Sequence, residues 1–278
     1  MNYPVDMSKS GGTTMITNPT SVKQQYSTDK NLTARINLHA KHSTNKQGFF
    51  NWLWEHYNFS ATSRILELGC GNGEQWKTKA DTLPGGCSVI LSDFSAGMVD
   101  SVKQAYAHHK SFLFQQIDIQ DIPFPDDSFD IVIANYMLYH VPDLPRGLSE
   151  VKRVLKPGGV FYSCTLGSGN MQPFLHEAFK LFDPDTTAFT QRFSFTLQNG
   201  HEILSEFFQN VKRIDYEDSL SITETGDLMN WIKSSITLDN GLEQKLHDHF
   251  EHIRKQDGAI NIPKESGLFV SQKYSHIS

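Results

Sequence analysis

Ile65-Leu66-Glu67-Leu68-Gly69-Cys70-Gly71-Asn72-Gly73 is the stretch that decides the fold of this 278-residue chain. A short apolar run ends in an acid and opens into three glycines at alternate positions. Such a run fits a parallel strand buried on both faces. Glycines just beyond its end let the backbone turn sharply and approach a ligand with no Cβ in the way. In open α/β sheets, ligands bind at that end of the strands. The stretch therefore predicts a site for a nucleotide-type cofactor.

The spacing narrows the choice. A dinucleotide cradle needs G-x-G-x-x-G, and counting from Gly69 and Gly71 its third glycine would fall on Glu74. The sequence carries no G-x-x-x-x-G-K-[ST], which argues against a P-loop. Twenty residues past Gly73, the run Ser88-Val89-Ile90-Leu91-Ser92 ends at Asp93, an acid placed to accept from both ribose hydroxyls. Ser95 then reads as the N-cap of a helix with Met98, Val102 and Ala105 on one face. Phe112-Leu113-Phe114 reads as a third strand, followed by Gln116-Ile117-Asp118-Ile119. A fourth, Ile131-Val132-Ile133-Ala134-Asn135-Tyr136, carries polar and aromatic residues at its ligand end.

In this order the motifs resemble those of class I S-adenosylmethionine-dependent methyltransferases, nearest the small-molecule group that includes the ubiquinone/menaquinone-type enzymes. The residues that carry the likeness are Glu67 to Gly73, Asp93-Phe94-Ser95-Ala96-Gly97-Met98, Asp118 to Phe124, Phe129 to Val132, and Leu155-Lys156-Pro157-Gly158-Gly159. It is strong over about residues 60–165 and holds in outline elsewhere. The resemblance implies a Rossmann-like, doubly wound α/β fold: a seven-stranded, mostly parallel sheet under a helical lid. It also implies S-adenosyl-L-methionine as cofactor. Glu67, Gly69, Cys70 and Gly71 would line its methionine moiety, and Asp93 its ribose diol. Phe94 and Met98 would flank the adenine, Asp118 would accept from its amino group, and the Ile119 amide would donate to the ring. Asn135 would lie beneath the sulfonium, with Tyr136 beside it.

Composition sets the outer bounds. A net charge of −6 argues against a nucleic-acid partner, which usually calls for a basic face. Cys70, Cys87 and Cys164 are too few for a disulfide framework and read as buried thiols. The N-terminal residues lack the apolar segment of a secretion signal, and no run reaches the roughly 18 apolar residues of a membrane span. A cytoplasmic protein with no membrane partner is expected; the oligomeric state is left open.

Along the chain, residues 1–20 are polar and without periodicity, which predicts a disordered tail. Residues 21–58 predict a helical lid segment. Residues 59–278 predict the catalytic domain, with lid insertions at about 166–208 and 222–262. A helix is expected to start after the glycine loop, at Gln75 and Trp76. Another, from Asp143 to Leu155, should end at Lys156-Pro157-Gly158-Gly159. Val211–Tyr216 and Gly267–Lys273 read as closing strands.

Methyl transfer from a sulfonium needs its nucleophile held in line, and a proton acceptor where the nucleophile is a hydroxyl or ammonium. His140, with Tyr139 beside it, is the candidate base. Tyr26, His39 and Trp52 are candidate substrate contacts, competing with plain core packing. His247, His249 and His252 fit a solvated helix face, and no metal is expected. The predicted function is methylation of an O, N or C nucleophile on a small metabolite. A protein- or RNA-directed methyltransferase, and an NAD-dependent oxidoreductase, are the rivals.

Overall fold

The computed structural model describes residues 30–275; the expected tail and Tyr26 lie outside the described residues. The chain begins there with α1 (Lys30–His42) and α2 (Phe49–His56), then enters the sheet at β1 (Arg64–Leu68). β2 (Ser88–Asp93), α3 (Ala96–Tyr106), β3 (Phe112–Gln116), β4 (Phe129–Asn135), α4 (Leu144–Val154) and β5 (Leu155–Leu166) follow. Next come α5 (Met171–Lys180), α6 (Gly200–Ser205) and β6 (Gln209–Tyr216). The chain continues through β7 (Ser219–Ile222), α7 (Thr225–Lys233), α8 (Asn240–Asp257), β8 (Ile260–Pro263) and β9 (Ser266–Gln272).

Seven strands form one sheet in the order β3-β2-β1-β4-β5-β9-β6. β1 to β5 are mutually parallel, and β9 runs antiparallel to both β5 and β6. The order reverses between β1 and β4, so their C-terminal ends flank the crevice where such sheets bind ligands. This is the doubly wound, mostly parallel sheet that the motifs imply.

Side chains alternate between the two faces. Leu66, Leu68, Val132 and Ala134 join the first-face core, under Leu144, Leu148, Val151 and Val154 of α4. Ile65, Val89, Leu91, Ile131 and Ile133 join the second, under Trp52, Leu53, Trp76 and Val102. The α4 stripe explains its packing, and Asp143 caps it by accepting from the Arg146 amide. Likewise Ser95 caps α3, as its position predicts.

A third core lies away from the sheet, built by α1, α5, α7, α8, β7 and β8 around Leu38, Phe179, Leu220, Ile222, Leu246 and Phe250. The insertion expected at 166–208 divides between layers. Met171, Leu175 and Phe179 enter this third core, whereas Phe195, Leu197, Leu204 and Phe208 pack on the first face of the sheet.

Two local expectations are corrected. The helix after the glycine loop is replaced by two 3-10 turns, Glu74–Trp76 and Ala80–Thr82. The Gln75 and Trp76 side chains are drawn inward to Glu67, and Pro84-Gly85-Gly86 ends the segment. The α4 helix hands directly to β5 at Leu155, so the Lys156–Gly159 stretch continues the strand instead of preceding it. Among the described residues, no helix is long and apolar enough to cross a membrane.

Candidate active site

Strand parity gathers the polar residues on one face. Glu67 shares the phase of Ile65, Asp93 that of Val89 and Leu91, and Asn135 that of Ile131 and Ile133. All three therefore emerge on the second face, at the C-terminal ends of adjacent strands β2, β1 and β4.

The glycine loop turns beneath them. Gly69 and Gly73 hold φ of +69° and +76°, the left-handed region that disfavours side chains. A Cβ on Gly69 would sit 2.8 Å from Met137, and one on Gly73 would sit 2.7 Å from Val102 and Tyr106. The Asp93 carboxylate fixes the loop to β2: Oδ2 accepts the Gly71 amide at 3.0 Å and Oδ1 the Ser95 amide at 2.8 Å. Burial raises its pKa despite these donors. Cys70 is buried in the loop, and desolvation pushes its thiol well above the ordinary range, so it is held neutral.

Glu67 faces inward. It is 3 % exposed, with Oε1 accepting from Gln75 Nε2 and Oε2 from Trp76 Nε1, both at 2.5 Å. Burial raises its pKa to about 7, against the pull of those two donors. Both of its oxygens are thus held by Gln75 and Trp76, side chains that carry no motif. Gln75 reaches onward: its Oε1 accepts from Asn135 Nδ2 at 3.0 Å and from the Tyr57 hydroxyl at 3.2 Å. Asn135 Nδ2 also donates to Tyr57 at 2.8 Å. Tyr57, at the C-terminal cap of α2, is a third contributor that the motifs did not reveal. Burial raises its phenol pKa well above the ordinary value.

The other expected residues are distributed as follows. Asp118 caps its own turn, accepting from the Gln120 amide at 2.9 Å, and Ile119 is buried beside it in the first-face core. Phe94 is half-buried beyond β2, whereas Met98 is covered by the protein at 1 % exposure. Tyr136 adopts φ of +54°, its ring 5.0 Å from that of Phe49. Burial raises its pKa well above the ordinary value. Tyr139 and His140 lie on a 3-10 turn four and five residues past Asn135, their rings 4.6 Å apart. Trp52 packs in the second-face core, 5.1 Å from the Tyr216 ring and 4.7 Å from that of His56. His39 sits on α1, and desolvation, with Lys264 adding to it, pushes its pKa down to about 3, so the ring is neutral. Among the described residues, no three His, Cys, Asp or Glu side chains group to hold a metal.

The family profile described as "Methyltransferase domain" matches residues 66–163, from β1 through β5. A demethylmenaquinone methyltransferase of Clavibacter sepedonicus is 31% identical over 149 residues, covering 54% of this chain and 59% of its own length. Residues 66–163 are thus similar to a methyltransferase domain. Malonyl-[acyl-carrier protein] O-methyltransferase of Serratia marcescens is 30% identical over 167 residues, covering 57% of this chain and 60% of its own length. The chain therefore spans about three fifths of the length of both relatives. Phosphoethanolamine N-methyltransferase 2 of Haemonchus contortus, solved with S-adenosyl-L-methionine, superposes with a TM-score of 0.60. That match covers 95% of this chain and 61% of the other, at 17% identity, and speaks to the fold.

S-adenosylmethionine is the cofactor that the motifs imply, and the residues present fit it. At Gly69 the absent Cβ makes room for Met137, so the fit is carried by the acceptors around the loop. Asp93 spends one lone pair of each oxygen on a backbone amide and keeps the others. Asn135 Oδ1, shielded from bulk water, has no hydrogen-bond partner among the described residues. A buried orphan acceptor of this kind is costly, about 1–3 kcal/mol, unless a ligand supplies the donor.

Proposed function

We propose that this chain transfers the methyl group of S-adenosylmethionine to an O, N or C nucleophile on a small-molecule metabolite. The observation that carries the reading is the convergence of the β1, β2 and β4 tips on one crevice, with the glycine loop tied to Asp93. The names of the two relatives, one a demethylmenaquinone methyltransferase and one a malonyl-[acyl-carrier protein] O-methyltransferase, support an acceptor that is a metabolite or a carrier-borne metabolite group. The net charge of −6 weighs against an RNA substrate.

When bound, the cofactor supplies an activated methyl group on a good leaving group. The protein's part is to bind, orient and exclude water. Holding nucleophile and methyl carbon in line at about 3–3.5 Å can contribute roughly 7–11 kcal/mol. Asp93 would take the ribose diol with its remaining lone pairs. Asp118 and the Ile119 amide would read the adenine edge, with Phe94 against its face. Met98, already covered, would support that pocket from beneath. His140 would receive a proton from a hydroxyl or ammonium acceptor. The third core, with α1 and α2, would form the cover that keeps the reacting pair dry.

Two measurements test the reading. Thermal unfolding should shift upward with S-adenosylhomocysteine and not with NAD; stabilisation by NAD alone would overturn it. Incubation of cell extract with the protein and methyl-labelled cofactor should place label in the small-molecule fraction. Stable label in protein or RNA would move the acceptor to a macromolecule.

A further inference from the structure

The Glu67–Gln75–Asn135 chain has a direction, and that direction is set by the protein. Trp76 Nε1 is a donor only, so the Glu67 oxygen that meets it must accept. The other Glu67 oxygen accepts from Gln75 Nε2, which turns Gln75 Oε1 toward Asn135. Asn135 must then offer Nδ2, whose two hydrogens go to Gln75 Oε1 and to the Tyr57 hydroxyl. Tyr57 in turn gives its single proton to Gln75 Oε1. Both donors of Asn135 are spent, and its oxygen is left unpartnered.

We infer that Glu67, acting through Gln75 and Tyr57, holds the Asn135 amide with its oxygen toward the ligand crevice, where it accepts a hydrogen bond from the ammonium group of the bound cofactor. Glu67, Gln75 and Tyr57 are positioning residues, and Asn135 is the one that touches the ligand. The inference rests on the methyltransferase reading above. Its physical content is narrower: the polarity of one side-chain amide is dictated two hydrogen bonds away, by a carboxylate that does not itself contact the ligand.

Replacing that carboxylate by its isosteric amide reverses the chain. In Glu67→Gln the new amide must keep its oxygen toward Trp76, because the indole only donates. Its NH2 then faces Gln75, which turns to offer oxygen. Gln75 next presents its NH2 to Asn135 and Tyr57. Asn135 rotates to accept, and its own NH2 points into the crevice, where it opposes an ammonium. The Tyr57 hydroxyl serves either direction, since it both donates and accepts. Shape and packing are unchanged, and a buried charge is removed.

The test compares two ligands by calorimetry. S-adenosylhomocysteine carries the ammonium; 5′-methylthioadenosine has the same nucleoside and thioether without the amino-acid end. Glu67→Gln should weaken S-adenosylhomocysteine binding by at least about tenfold, the scale of a lost hydrogen bond to a charged group. Affinity for 5′-methylthioadenosine should be retained, and the variant should melt no lower than the parent. In an Asn135→Ala background, Glu67→Gln should cost nothing further for S-adenosylhomocysteine, and retained 5′-methylthioadenosine binding shows that the double variant is folded. Equal losses for both ligands, no loss for either, or an undiminished effect in the Asn135→Ala background would each overturn the inference. Failure of the unsubstituted protein to bind S-adenosylhomocysteine would overturn the methyltransferase reading itself.

Discussion

The Asp93 carboxylate accepts the backbone amide of Gly71 at 3.0 Å, joining the tip of β2 to the centre of the glycine loop that follows β1. One side chain thus fixes the floor of the crevice and presents the lone pairs that a ribose diol would use. Loop shape and ligand affinity would be coupled through it. The same carboxylate also holds the Ser95 amide at the start of α3, so three consecutive elements share one anchor.

Asp93→Asn tests that coupling. An amide can accept at only one of the two positions, so its NH2 must face either the Gly71 or the Ser95 amide. The expected outcome is a loss of about 1–3 kcal/mol in S-adenosylhomocysteine affinity, the scale for stranding a buried partner, read by titration calorimetry. Unchanged affinity would reduce Asp93 to a turn residue.

Glu67 predicts a pH dependence of stability with a definite sign. Its folded pKa is raised from 4.5 to about 7, chiefly by burial. Between these values the folded state binds more protons than the unfolded chain, so stability falls as pH rises from about 4.5 to about 7. The full difference is about 3 kcal/mol. Glu67→Gln removes the titrating group, so its stability relative to the parent should increase across that window and then level off. Urea unfolding at pH 5, 6, 7 and 8 measures it; parallel profiles for the two proteins would contradict the raised pKa.

The parallel strands were legible because both of their faces are buried, which leaves uninterrupted apolar runs such as Ile131–Ala134. β7 and β8 were not. Each alternates over only four residues, with Leu220 and Ile222 pairing Ile262 and Ile260 from a segment about forty residues away. No turn signal joins them, so nothing local marks either as a strand. Within the site, the acids at strand tips were readable as acids, but not the direction of Glu67. That required noticing that it shares a face with Ile65, where Trp76 is buried. Gln75 and Tyr57 carry no motif; they matter because side chains from three elements meet. The helix expected at Gln75 gave way because two of its residues point inward to the same carboxylate.

The buried pair Asp218–Lys264 predicts an asymmetric response to mutation. Asp218, whose side chain is fully covered, accepts from Lys264 and Ser43 and from the Asn45 and Ser219 amides. It clamps the segment after α1 to the β6–β7 turn. Asp218→Ala strands Lys264 and several donors at once and should cost about 3–5 kcal/mol. Lys264→Met should cost distinctly less, because the other donors still satisfy the carboxylate. Chemical denaturation of both variants checks the order, and equal costs would show that the charge pair dominates the clamp.

His140→Ala should lower turnover by about 10²–10⁴-fold if the ring takes a proton from the acceptor. Affinity for S-adenosylhomocysteine should be unchanged, since the residue lies on the turn beyond Asn135. Label transfer to the small-molecule fraction of extract gives the rate and calorimetry the affinity. Equal rates would exclude the base role and leave an acceptor that needs none, such as a carbanion or an already deprotonated oxygen.

Gly73 and Gly226 predict opposite signs for the same substitution. Gly73 combines φ of +76° with a Cβ position 2.7 Å from Val102 and Tyr106, and Tyr106 donates to its carbonyl at 2.9 Å. Neither buried neighbour can withdraw without opening the second-face core, so Gly73→Ala should destabilise by about 1–3 kcal/mol through strain and overpacking. Gly226 lies in the first turn of α7, is exposed, and has nothing within 4 Å of its Cβ position. There Gly226→Ala only restricts the unfolded chain and favours the helix, which should stabilise by about 0.4–1 kcal/mol. Melting temperatures of the two variants should move apart from the parent in opposite directions. A Gly73→Ala protein as stable as the parent would mean that the loop can relax away from α3, and with it the backbone that Asp93 holds.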